Sequence, residues 1–245
     1  MIHAIRFAVL LALTGCGRLD FADVSGCATC DTGLIAHWRL DDAAGMRAHD
    51  ELGNHDGFLH GNPTWTTGHL GGAIALASDG DDVELEWNFA AATPGAFTVA
   101  EWVQPTAGSQ FGFDRYLSSY WYAMPPDGTG VMEVDAAASG SGLRCEFRLG
   151  TSLVQATAAD GVTPGTWHHV ACTYDGGHLS AAIDGVVRDT IAITGMLVPN
   201  ASYPIAFGTS TNRTAYQNTF TGAIDDVRIY DRALTVAELA ALAGQ

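Results

Sequence analysis

Apolar and polar residues alternate with a period of two along much of the chain after Gly33. The runs Leu34–Leu40, Val83–Trp87, Phe97–Val103, Leu143–Leu149, His168–Tyr174, Leu179–Ile183 and Ile224–Tyr230 follow this pattern, which predicts strands with one face in a core. Turn dipeptides separate them, and Asp-Gly alone occurs at 56, 79, 127, 160, 175 and 184. A single helix is predicted near the end of the chain. Thr235-Val-Ala-Glu238 is a capping box ahead of Leu239 and Leu242, and Gly244 stops the helix. With no internal repeat and no further break in composition, residues 33–245 read as one all-β domain, an antiparallel two-sheet sandwich with a short C-terminal helix.

The chain before Gly33 has a different character. Residues 1–15 combine a weakly cationic start with the apolar run Phe7–Leu13, too short to span a bilayer. The run ends in Leu13-Thr14-Gly15-Cys16, which resembles a bacterial lipobox. That resemblance implies a lipoprotein signal peptide over 1–15 and acylation of Cys16, with more than one chain needed for a stable anchor. Residues 16–32 hold Asp20, Asp23, Ser25, Gly26 and Asp31 without periodicity and read as a lipidated tether. The expectation is an exported protein of the bacterial cell envelope that meets the membrane through its lipid anchor only.

Composition narrows the chemistry. Acidic residues outnumber basic ones 27 to 11, for a formal net charge of −16, which excludes nucleic acid as a partner. All the basic residues are Arg, so a P-loop or a Schiff-base lysine is ruled out. The 20 Asp and 29 Gly favour tight turns over helices.

An exported chain permits disulfides. Cys145 and Cys172 each fall on the apolar face of a predicted strand, where they form either a bridge across the core or two buried thiols; the bridge is favoured. Cys27 and Cys30 either pair locally or stay open to a partner. A thioredoxin-like role is not indicated, since no βαβ pattern surrounds them.

Four segments, in order, resemble the LamG-like jelly-roll family, a branch of the concanavalin A-like lectin and glucanase sandwiches. They are Gly33–Asp42; Leu52–Gly57 with Gly71–Leu76; Gly165–Gly176 with Ile183–Val186; and Gly222–Leu234. The resemblance covers about 200 residues and implies a jelly roll whose first and last strands are adjacent. It also implies a binding or adhesion module. Arg228, on the polar face of its strand, is expected to form a structural ion pair.

Laminarinase-type relatives carry Glu-x-Asp-x-x-Glu, whereas the nearest string here is Glu133-Val-Asp-Ala-Ala-Ala138, lacking the acid/base Glu; no hydrolase activity is expected. Structural calcium, which the resemblance implies, would draw on Asp41, Asp50, Asn54 and Asp225, although Asp50 and Asn54 equally suit a turn. The stretch Thr209–Arg213 lacks the acidic run of a pentraxin-like calcium site. His49, His55 and His60 match no recognised metal spacing, and His168 and His169 point to opposite faces. Aromatics crowd residues 111–122, which nominates Tyr116, Tyr120, Trp121 and Tyr122 as a ligand-binding surface, because flat rings stack on sugar faces. The resulting expectation is a lipid-anchored, non-catalytic envelope module that binds a glycan. The alternatives are a structural or adhesion domain that binds a surface protein and, third, a degenerate glycoside hydrolase.

Overall fold

The computed structural model describes residues 29–85, 87, 95–106, 115–119, 132–198, 204–209 and 219–245. The predicted signal peptide, Cys16, Cys27, Tyr120, Trp121 and Tyr122 lie outside the described residues. The strands run in chain order β1 (Leu34–Trp38), β2 (Arg47–Ala48), β3 (Gly57–His60), β4 (Thr64–Thr67), β5 (Gly72–Leu76), β6 (Asp82–Leu85), β7 (Phe97–Pro105) and β8 (Arg115–Ser119). They continue with β9 (Met132–Ala136), β10 (Leu143–Leu149), β11 (Ser152–Ala158), β12 (His168–Tyr174), β13 (His178–Ile183), β14 (Val186–Ala192), β15 (Ile205–Phe207) and β16 (Gly222–Tyr230), before helix α1 (Val236–Ala243).

These strands form two antiparallel sheets. The first has the order β14-β13-β12-β7-β16-β5-β4, with β1 also paired to β16, and the second has the order β11-β10-β9-β8-β15-β6-β3-β2. The chain is thus a jelly-roll sandwich, with the first strand beside the last as expected. Phe97, Val99, Val103, Val170, Tyr174, Ile224 and Ile229 of the first sheet pack against Val134, Leu143, Phe147 and Phe207 of the second. This interior is the one that the period-two runs anticipate.

Cys145 on β10 and Cys172 on β12 are bonded to each other, with Cα atoms 5.7 Å apart, so the bridge joins the two sheets through the core. Cys30 is also disulfide-bonded. It is buried with Tyr230, Leu234, Leu239 and Leu242. Arg232 fixes the same corner, donating to the Thr32 carbonyl at 2.6 Å and the Thr29 carbonyl at 3.1 Å while its other donors hold Glu238. The last residues of the predicted tether are therefore docked on the domain. Helix α1 begins where the capping box predicts. The Thr235 hydroxyl accepts from the Glu238 amide, and the Glu238 carboxylate accepts from the Thr235 amide.

Two departures from simple alternation have physical causes. Strand β14 lacks an apolar stripe because Asp189 interrupts it, yet the Asp189 Oδ2 accepts from the Thr157 amide of β11 at 2.7 Å and laces the sheet edges together. Glu101 on β7 shares the inner face with Val99 and Val103. Its side chain is fully buried and neither carboxylate oxygen has a hydrogen-bond partner. Burial pushes this carboxyl up to about 8.

Candidate functional site

Strand register lines up the polar side chains on the outer face of the second sheet. One row crosses the sheet as Gln155, Glu146, Glu133, Ser118, Ala206 and Glu84, from β11 through β10, β9, β8 and β15 to β6. A parallel row reads Thr157, Arg144, Asp135 and Arg115, and a bridge then joins Arg115 to Thr219. The two rows are cross-linked by charge. Arg115 places Nε 2.8 Å and Nη2 2.6 Å from Glu133 Oε1. Arg144 donates to Glu133 Oε2 at 2.9 Å and grips Asp135 through Nε at 2.9 Å and Nη2 at 2.5 Å. It also reaches Glu146 at 3.3 Å.

Arg115, Glu133 and Asp135 are buried, so each depends on its partners to offset the cost of burial. Burial drives the Asp135 carboxyl upward, and hydrogen bonds from Arg144 pull it back. The Glu146 carboxyl is also raised, by burial first and by Glu133 as well, against the Arg144 charge. Burial alone would lower Arg144, but Asp135, Glu146 and Glu133 outweigh it and hold the guanidinium above its ordinary range.

Beside this network sit three hydroxyls of a different kind. Ser118, Thr209 and Thr219 are at most 9% exposed, and none of their side-chain oxygens has a hydrogen-bond partner. Ser118 lies directly opposite Glu133, and Thr219 is bridged to Arg115. Thr209 follows Gly208, whose amide donates to the Tyr116 carbonyl at 3.0 Å. A buried hydroxyl without a partner is costly, and an incoming polar ligand can supply one.

The sequence-predicted residues are placed as follows. Tyr116 is the bulged residue of β8; its ring turns inward, is 1% exposed and meets Phe220 edge to face at 5.1 Å. It belongs to the core, which corrects its expected place on a ligand surface. The four residues proposed for calcium do not come together as a cation site. Asp50 accepts the amides of His37, Leu52, Asn54 and His55 at 2.9–3.1 Å, so its oxygens already face hydrogen-bond donors. Asn54 uses its side-chain amide as a donor, to the Leu52 carbonyl. Asp41 accepts the Gly72 amide and meets Arg39 at 3.2 Å, while Asp225 accepts the Leu70 amide at 2.8 Å. The second oxygen of Asp225 is buried without a hydrogen-bond partner, but among the described residues no group of three or more His, Cys, Asp or Glu is arranged to hold a metal. Asp50 is a turn organiser.

Arg228 forms the expected ion pair, with Nε 3.0 Å from Asp226 Oδ2. His37 lies 2.6 Å from Asp226 Oδ1. Burial works to raise the Asp226 carboxyl, but the His37 hydrogen bond and the Arg228 charge prevail and hold it low. His168 pairs with Asp184 at 2.9 Å, whereas His169 is buried edge-on against Trp102 and is pushed down to about 4 by burial. Sequence reasoning did not find Ser118, Thr209 or Thr219. The Arg144-Cys-Glu146 alternation on β10 did carry a signal for the ion network, since opposite charges recur at its polar positions.

A family described as the concanavalin A-like lectin/glucanases superfamily matches residues 77–240. No curated protein matches the sequence. Domain 4 of an extracellular arabinanase from Geobacillus stearothermophilus, solved in complex with arabinotriose, is 20% identical over 86% of this chain and 98% of its own, with a TM-score of 0.66. The binding domain of botulinum neurotoxin DC, in complex with SialylT, is 15% identical over 88% of this chain and 52% of its own, with a TM-score of 0.65. The binding domain of Paraclostridial Mosquitocidal Protein 1 is 15% identical over 87% and 52%, also at 0.65. This chain spans about half of each toxin binding domain. Identities this low establish a shared fold.

Proposed function

The chain belongs to the concanavalin A-like lectin/glucanase superfamily, and on that premise we propose that it is a non-catalytic module that binds carbohydrate on the outer face of its second sheet. The observation that carries this reading is the trio of partnerless buried hydroxyls, Ser118, Thr209 and Thr219, beside carboxylates already neutralised by Arg115 and Arg144. Sugar hydroxyls donate and accept at once, so they suit such groups. The arabinotriose and SialylT complexes of the structural relatives support a saccharide as the ligand. Non-catalytic behaviour is supported by Glu133 and Asp135 themselves. Both are clamped by guanidinium groups, and Ala138 stands where hydrolytic relatives place an acid.

Within the same proposal, Cys16 carries the lipid and the domain stands at the bacterial envelope on its tether. Localising a Cys16→Ala variant tests this part: release from the membrane fraction supports it, and retention refutes it. The binding part is tested by calorimetric titration of neutral oligosaccharides into the full chain in detergent. Saturable heat that Ser118→Ala weakens supports it, and no heat across an array of envelope and plant-wall glycans refutes it.

A further inference from the structure

On the outer face of β10, Arg144, Glu146 and Arg148 alternate with buried residues of the core. The first two answer each other, with Arg144 reaching Glu146 at 3.3 Å. Arg148 is different. Arg39, Arg47, Arg115, Arg144, Arg228 and Arg232 each meet a carboxylate, whereas among the described residues Arg148 and Arg188 meet none. In a chain with 27 acidic residues against 11 basic ones, an arginine left without an acid is unexpected on composition alone.

Its surroundings are apolar. Leu153 of β11 stands directly opposite and is 39% exposed. On the other side, Val198 donates its amide to the Arg148 carbonyl at 3.0 Å. Arg148 is half-buried, and its Nε is buried without a hydrogen-bond partner. Nη1 and Nη2 also make no hydrogen bond but remain open to solvent. A guanidinium partly removed from water and left unpaired carries a cost that an oxyanion offsets and a neutral hydroxyl does not. Its planar fork matches two oxygens of one anion, and apolar neighbours strengthen the contact by lowering the local dielectric.

Arg148 shares this face with the hydroxyl trio. Glu146 stands opposite Glu133, and Glu133 opposite Ser118, so Arg148 and Ser118 are two strands and two residues apart. On a sheet that separation is about 12 Å, which an oligosaccharide spans and a single sugar ring does not. The intervening carboxylates are already held, Glu133 and Asp135 by Arg115 and Arg144, and Glu146 by Arg144. Charges elsewhere on the chain are screened beyond about 8 Å at physiological salt.

Resting on the saccharide reading of this face, we propose that Arg148 receives an oxyanion on the sugar, a carboxylate or a sulfate, so that the ligand is an acidic oligosaccharide. The charged substituent meets the open Nη1 and Nη2, the C–H edge of its ring lies on Leu153, and the hydroxyls of a neighbouring unit reach the trio.

The test is calorimetric titration of the full chain in detergent with tetragalacturonate, its methyl ester, a sulfated carrageenan tetrasaccharide and the desulfated sugar. An acid form is expected to bind about 10-fold more tightly than its neutral counterpart, the worth of one hydrogen-bonded charge contact, and which acid form does so separates carboxylate from sulfate. Arg148→Gln is expected to remove that preference and to leave the affinity of the neutral form within about 2-fold, which also shows that the variant is folded. Arg188→Gln removes the same charge from an exposed position on β14 of the other sheet and is expected to change neither affinity. Equal binding of acid and neutral forms, a preference that survives Arg148→Gln, or an equal loss in Arg188→Gln would overturn the proposal while leaving the saccharide reading in place. Failure of both acid forms to bind would also overturn it; the saccharide reading falls with it only if neutral sugars show no Ser118-dependent binding either.

Discussion

Arg144 on β10 holds Asp135 on β9 in a two-point grip, Nε to Oδ1 at 2.9 Å and Nη2 to Oδ2 at 2.5 Å. The same guanidinium bonds Glu133, so one cation supports two buried carboxylates. Arg144→Leu is therefore expected to cost about 3–5 kcal/mol, the penalty for leaving buried charge unpaired. Arg144→Lys should recover only part of it, because an ammonium cannot form the fork. Urea unfolding of the two variants checks both statements. A loss below about 1 kcal/mol for the leucine variant would show that the network contributes little.

Glu101 gives stability a distinctive pH dependence. Its folded carboxyl, at about 8, lies above the ordinary value of 4.5. Between those values the folded state retains a proton that the unfolded chain releases, so stability falls as pH rises from about 4.5 to 8 and this contribution then levels off. The full swing is of order several kcal/mol. Glu101→Leu should flatten the profile and raise the melting temperature at pH 8. An unchanged slope would mean that Glu101 is solvated or paired in solution.

The bridge between Cys145 and Cys172 closes a loop with a sequence separation of 27. Chain-entropy arithmetic for a loop of that length gives about 3–4 kcal/mol. Replacing both cysteines by alanine should lower the unfolding free energy by that order, with thiol titration confirming the pair in the parent protein.

Asp50 accepts four backbone amides, and Asp50→Ala would orphan several part-buried donors at once. About 2–4 kcal/mol of destabilisation is expected. Neither added calcium nor a chelator is expected to move the melting temperature of the parent chain. A rise with calcium would show that a cation is bound after all.

Much of the sandwich was legible because burial on one face writes itself into the sequence. Leu143–Leu149 and His168–Tyr174 match their strands end to end, and the inward positions of Cys145 and Cys172 foretold the bridge. Short strands such as Arg47–Ala48 and Ile205–Phe207 leave no period to read. The site was harder for a different reason. Tyr116 drew notice as an aromatic, but the bulge in β8 turned it into the core. Ser118, Thr209 and Thr219 matter because they lack partners, and that property exists only once strands distant in sequence have met.

Whether these hydroxyls receive a saccharide is decided by measuring stability and binding together in Ser118→Ala, Thr209→Val and Thr219→Val. Removing a buried hydroxyl that bonds nothing should leave unfolding free energy unchanged or slightly higher. Each substitution should nevertheless weaken the oligosaccharide that calorimetry identifies by about 2- to 10-fold, the worth of one hydrogen bond. Full affinity in all three variants, or stability loss without any loss of binding, would show that these hydroxyls do not hold the sugar.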